Sequence, residues 1–283
     1  MARFKISNLP RGFAMGVSDL IPGVSGGTIA LLLGIYDDFI ASVSGIFSKN
    51  FKRSMMFLLP IIIGMGLAIG ILSSLINYLL AYHQVPTMFF FTGLIIGVIP
   101  FLLRISHYNK TFKASHWIIV VLFTLLLAAM AFLKGDTSHA APTHIDLSAP
   151  MLIKYFVAGI LASSAMLLPG ISGSFILLLL GVYSTVTFAI SEVVRFNFQA
   201  LPVIMLVGFG VLVGFIVASK LIKYLLTHYT YFTYAAILGL VIGSLFSVFP
   251  GLPTSGLTWI VSMSTLILGF IVSYILGRFS ADS

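Results

Sequence analysis

At 283 residues the chain is 59% hydrophobic and only 8% charged, with a mean hydropathy of +1.14. That composition lies far outside the range of soluble domains and marks a polytopic membrane protein with no soluble domain around its spans. A net charge of +8 would suit nucleic acid in a soluble protein, but here it falls in short loops, where it reports topology and implies no nucleic-acid partner. With no cysteine, disulfides and thiolate metal sites are excluded.

The chain starts MARFKISNLPR, basic and amphipathic, with neither an apolar core nor a cleavage site, so no removable signal peptide is expected. Residues 12–44 follow as an apolar hairpin broken at Pro22-Gly23 by a Ser/Gly patch, PGVSGGTIALLLGIY. Spans are predicted over 55–82, 88–103 and 117–133, with basic loops between the hairpin and the first span and between the last two spans. Residues 134–150 turn polar, carrying Asp136, His139, His144 and Asp146, and read as a linker.

The order then repeats. Pro169-Gly170 opens PGISGSFILLLLGVY inside a second hairpin over 155–190, and spans are predicted over 201–226, 232–249 and 257–276. Small residues recur as well: GLIIG at 93–97 returns as GLVIG at 239–243, and Gly66 with Gly70 parallels Gly210 with Gly214. Small residues four apart let helices approach closely, as a static packing surface or a sliding one. The expected fold is all-α: two repeats, 1–133 and 151–283, each a re-entrant helical hairpin followed by three transmembrane helices.

If each hairpin returns to its own side, each repeat crosses the membrane three times, and the two are inverted. With the N-terminus in the cytoplasm, every Lys and Arg except Lys134, Lys154 and Arg195 then lies inside, the bias that membrane insertion favours. Two full spans per hairpin would give the same sidedness. Re-entry is preferred because the apolar run before each Pro is short, about ten residues against the roughly 20 that a span needs.

Non-helical backbone at membrane depth survives only inside protein or beside a wet cavity, so the two breaks are expected to meet near the midplane. They offer Ser25, Gly26, Gly27 and Thr28 from one hairpin and Ser172, Gly173 and Ser174 from the other, with Pro22, Gly23, Pro169 and Gly170 as the breaks. Hydroxyls and backbone N–H groups of this kind suit a phosphate or another oxyanion; the alternative is that small residues merely let two hairpins cross. Asp19 stands in an apolar stretch, where a carboxylate costs roughly 2.5 to 3.5 kcal/mol, and reads as a cap, an ion-pair partner or a proton carrier. Met166 occupies the equivalent position in the second copy. Asp37 and Asp38 read as solvated acids, and Glu192 with Arg195 as a surface ion pair or an outer gate. Arg104, Lys154 and Arg195 are candidate headgroup or gate cations. The histidines show no metal-ligand spacing, so neither metal nor cofactor is expected, and phosphate-loop, nucleophile-elbow and dinucleotide motifs are absent from the sequence.

The run GVSDLIPGVSGGTIALLLGIY, with its echo PGISGSFILLLLGVY, closely resembles the PopT-like polyprenyl-phosphate transporter family over nearly the whole chain. The resemblance implies a non-enzymatic protein of the prokaryotic cytoplasmic membrane. Such a protein returns undecaprenyl phosphate, the lipid carrier of peptidoglycan synthesis, from the outer to the inner leaflet. It places Asp19, Pro22, Gly23, Ser25, Gly26, Gly27 and Thr28 at the functional centre, facing Pro169, Gly170, Ser172, Gly173 and Ser174; the second copy departs at Met166 and Phe175. Two other readings stay open. The BacA-type undecaprenyl-pyrophosphate phosphatases have similar hairpins and a PGxSRS-like signature, but Gly26 stands at its Arg and the paired glutamates are missing. A small-anion channel or exchanger would also use Ser/Gly helix starts. The partners that the resemblance implies are the polyprenyl-phosphate lipid and the surrounding membrane lipids.

Overall fold

Long apolar segments in a bilayer have no water to satisfy their backbone groups, so they close their hydrogen bonds within helices. The computed structural model describes residues 6–21, 24–133 and 145–281, and every regular element among them is helical. Pro22, Gly23, Lys134 and the linker residues 135–144 lie outside the described residues. The first series is α1 (Asn8–Asp19), α2 (Gly26–Leu32), α3 (Tyr36–Gly45), α4 (Phe51–Tyr82), α5 (Gln84–Ile105), the single turn α6 (Tyr108–Thr111) and α7 (Ala114–Leu133). The second series is α8 (Ala149–Leu167), α9 (Gly173–Leu179), α10 (Tyr183–Val194), α11 (Leu201–His228), α12 (Thr230–Val248) and α13 (Gly256–Ala281).

Among the described residues, α4, α5, α7, α8, α11, α12 and α13 are long and apolar enough to cross a membrane, which makes this a multi-pass membrane protein. Ile62, Leu67 and Ile71 on α4 and Ile118, Leu122 and Leu125 on α7 point outward, as on helices solvated by lipid. The 32 residues of α4 rise about 48 Å at roughly 1.5 Å each, well beyond a hydrocarbon core of about 30 Å, so its ends emerge or it tilts.

The helix before the second break is longer than expected: α8 runs 19 residues from Ala149 rather than from 155 and is long enough to cross, so the short apolar run expected before this break is not found. Its start is set by local chemistry. Pro150 sits in the first turn, where its missing N–H costs nothing, and the Asp146 carboxylate accepts from the Ser148 N–H at 2.8 Å in the turn just before. That backbone hydrogen bond, with one from the Ser148 side chain, holds the exposed Asp146 carboxyl below its usual range. After the breaks, α2 and α9 end identically. Gly34 and Gly181 both take φ 66°, and the following N–H groups of Ile35 and Val182 reach back to Ala30 and Leu177, each at 3.0 Å. A left-handed glycine in this position closes a helix and turns the chain; here α10 leaves α9 at 112°.

Packing follows one rule twice. α1 lies on α4 and α8 lies on α11, while α13 lies on α5 and α7 on α12, so the last helix of each series packs on the middle span of the other. The contacts correspond residue by residue. A Cβ on Gly12 would land on the Ile61 carbonyl and one on Gly64 on the Leu9 carbonyl; Gly159 meets Val207 and Gly210 meets Phe156 in the same way. Gly93 abuts the Leu266 carbonyl of α13, and Gly239 abuts the Val120 carbonyl of α7. The pairing of Gly66 and Gly70 with Gly210 and Gly214 is corrected: nothing lies within 4 Å of a Cβ at Gly66 or Gly70. Gly64 is the true counterpart of Gly210. Spacing alone misassigned them because α4 carries glycines on several faces, and only one face meets α1.

Candidate functional site

The second break reaches the first through its backbone. Ser25, at the N-cap of α2, accepts from the Gly27 N–H at 3.2 Å and donates its own hydroxyl to the Leu168 carbonyl at 3.3 Å. Thr28 accepts from the Gly170 N–H at 2.9 Å, and Tyr36 donates its hydroxyl to the Leu167 carbonyl at 3.0 Å. Gly170 itself takes φ +89° against the Leu240 carbonyl, a backbone state that only glycine adopts easily and that brings its N–H to Thr28. Ser25 and Thr28 are each only 2% exposed, so these bonds fasten the two broken segments in the interior.

Asp19 belongs to this junction. Its Oδ1 accepts from the Gly26 N–H at 2.7 Å, and both oxygens lie 2.9 Å from where a Gly26 Cβ would be, so Gly26 is the residue that lets the carboxylate approach the start of α2. Its other oxygen, Oδ2, is buried without a hydrogen-bond partner among the described residues. The carboxylate therefore caps the start of α2 and is half satisfied. The remaining early N–H groups of α2 are occupied too, Gly27 by the Ser25 hydroxyl and Thr28 by the Ser25 carbonyl.

Two apolar cavities flank the junction. The first, about 320 Å³, runs between α1, α3, α4 and α11; Asp19, Gly26 and Gly27 share its wall with Phe39, Ile61, Met65 and Phe215. The second, about 570 Å³, is bounded by α7, α11 and α12 and reaches Tyr36, Ser164 and Leu168. A smaller, more polar space of about 190 Å³ holds Asp37, Tyr36 and Tyr234.

The other expected residues are placed differently from one another. Ser172 caps α9 by accepting from the Phe175 N–H at 3.2 Å and lies 3.3 Å from the Ser174 hydroxyl, and the backbone of Gly173 approaches Ala162. Ser172, Gly173 and Ser174 are partly exposed, whereas the first patch is buried throughout. Pro169 is buried beside Gly170 at the crossing. Arg104 and Lys154 are exposed, and neither lines one of these cavities. Arg195, 77% exposed in its side chain, pairs with Glu192 at 3.9 Å on the surface. Among the described residues no group of three or more His, Asp or Glu side chains forms a metal site. Sequence reasoning missed Tyr36 and the end of α8 as parts of the junction. The Gly-Xaa-Tyr that closes each motif was the available signal, yet Tyr183, the second copy, is 37% exposed.

A multi-pass helical protein with a buried crossing of two broken segments, one carboxylate and flanking apolar cavities has the attributes of a membrane carrier for an amphipathic substrate. The chain belongs to the undecaprenyl phosphate translocase-like family, whose model matches residues 15–266. It is 58% identical over 283 residues, all of both chains, to a polyprenyl-phosphate transporter of Staphylococcus aureus. It is 34% identical over 272 residues to a polyprenyl-phosphate transporter of Vibrio cholerae, covering 92% of this chain and 82% of that one. Both relatives bear the name of transporters rather than enzymes. No solved structure matches the chain.

Proposed function

We propose that this protein moves a polyprenyl phosphate, undecaprenyl phosphate in particular, from the outer to the inner leaflet of the prokaryotic cytoplasmic membrane, returning the carrier for envelope synthesis. The observation that carries this reading is that Asp19, Gly26 and Gly27, next to Ser25 and Thr28 at the crossing, form part of the wall of an otherwise apolar cavity, a polar seat on a hydrocarbon-lined space. The full-length likeness to the Staphylococcus transporter supports the same substrate class.

The headgroup docks at Ser25, Gly26, Gly27 and Thr28, with Ser172, Gly173 and Ser174 approaching from the second hairpin, while the prenyl tail lies in apolar surroundings. To take the Gly26 N–H, a phosphate must displace Asp19. A proton on Asp19 removes the repulsion between two anions and weakens the bond it gives up, which couples headgroup entry to proton uptake and offsets the cost of moving negative charge inward against the membrane potential. The two series of helices are inverted repeats with both termini in the cytoplasm. The twice-repeated contacts, with α7 on α12 and α13 on α5, support two symmetry-related units that can rock against each other for alternating access.

The headgroup site is tested by equilibrium binding of undecaprenyl phosphate and of undecaprenol to the purified protein. The phosphate is expected to bind at least about tenfold more tightly than the alcohol, as loss of one hydrogen bond to a charged group implies. Ser25→Ala combined with Ser172→Ala is expected to erase most of that preference while the protein stays folded. Equal binding of alcohol and phosphate to the unmodified protein would overturn the headgroup site.

A further inference from the structure

The two large cavities lie on opposite faces of one thin element. Met166 and Leu167 at the end of α8 line the first cavity, while Ser164 and Leu168 line the second. α11 serves both in succession, Leu212 and Phe215 facing the first and Val217 to Leu225 the second. What separates the cavities near the junction is therefore the last turn of α8 and the start of the break, at the point where α8 loses its own hydrogen-bond ladder. Its terminal carbonyls are taken instead by the first hairpin, that of Leu167 by the Tyr36 hydroxyl and that of Leu168 by the Ser25 hydroxyl.

We propose that the two cavities are chambers for successive stretches of the polyprenyl chain, and that the end of α8 is the movable partition between them, latched by Tyr36. This deepens the transport reading above and rests on it. The occupant follows from the linings: almost every atom is apolar, and the one charge, Asp19, sits beside the headgroup junction. A chain attached to a headgroup at Ser25 and Asp19 enters the first chamber directly. The second is reached past Leu168, one bond from the same serine. Pockets of roughly 300 to 1,000 Å³ hold drug-sized ligands, so each chamber takes only part of a long isoprenoid, and a chain engaged at the junction needs both. Tyr36 has the geometry of a latch, since its ring lines the second chamber while its hydroxyl holds the partition. Opening breaks hydrogen bonds to carbonyls at a helix end, where the ladder already stops.

The chain contains no cysteine, so one introduced thiol reports one place. Val43→Cys places it in the first chamber, Ala236→Cys in the second, and Val121→Cys on the outer face of α7. Each variant, in proteoliposomes, is labelled with an apolar maleimide with and without undecaprenyl phosphate, against phosphatidylglycerol at the same concentration; lipid binding and transport are measured on the same preparations. Undecaprenyl phosphate is expected to slow labelling about tenfold at both chamber positions and leave Val121→Cys unaffected, while phosphatidylglycerol protects neither. Tyr36→Phe is expected to change the transport rate roughly two- to tenfold, the scale of one net hydrogen bond. Protection at one chamber only, or equal protection by phosphatidylglycerol, in protein that still binds and moves the lipid phosphate, overturns the two chambers and leaves the transport reading standing. An unchanged rate in Tyr36→Phe overturns the latch. Absence of lipid binding in folded protein overturns both this inference and the transport reading.

Discussion

Asp19→Asn is expected to abolish the acceleration of lipid transport by a pH gradient, a loss of at least about tenfold in gradient-driven rate if deleting the titrating group removes about 1.4 kcal/mol or more of coupling. The amide keeps an oxygen to accept from the Gly26 N–H, now 2.7 Å from Oδ1, so the start of α2 stays capped. Only the proton is lost. Asp19→Ala separates the two roles, because it also orphans the Gly26 N–H at a cost of order 1 kcal/mol and so lowers stability as well. Stability is read by thermal unfolding in detergent and coupling by transport at equal and unequal pH. Gradient dependence that persists in Asp19→Asn would reduce Asp19 to a cap.

Gly93→Ala is expected to cost the protein much of its folded yield. The new Cβ would clash with the Leu266 carbonyl oxygen, a backbone atom that cannot rotate away, so α5 and α13 must move apart at this crossing. Overpacking of this kind costs roughly 1 to 3 kcal/mol where side chains give way, and more where backbone must. Gly66→Ala is the matched control. Its Cβ meets nothing within 4 Å, and alanine in place of glycine favours a helix by about 0.5 to 1 kcal/mol, so stability is expected to hold or rise. Size-exclusion profiles after graded heating distinguish the two variants. Equal behaviour would contradict the close crossing of α5 and α13.

The contrast between Gly66 and Gly93 also shows where the sequence ran out. Repetition of GLIIG as GLVIG located a real crossing, because both copies must keep a backbone-to-backbone contact. It carried no information on the partner. That α5 takes α13 and α12 takes α7 is a long-range choice made by packing, and local periodicity does not record it. The helix starts after the two breaks were legible because capping is local, and Ser25 and Ser172 do cap the helices that follow. The unequal burial of the two patches was not, since PGVSGG and PGISGS differ little in composition while only the first lies against the second hairpin's backbone. Asp19 was conspicuous as a charge among apolar residues, but its partner, the Gly26 N–H, is a backbone group with no sequence signature. The cavities depend on gaps between helices and had no signal at all.

The most direct test of the central claim is movement of a labelled polyprenyl phosphate across proteoliposomes containing the purified protein, with and without an imposed pH gradient. Protein-dependent movement is expected that the gradient accelerates and that undecaprenol does not compete away. Folded protein that leaves the lipid phosphate in its original leaflet under both conditions would contradict it.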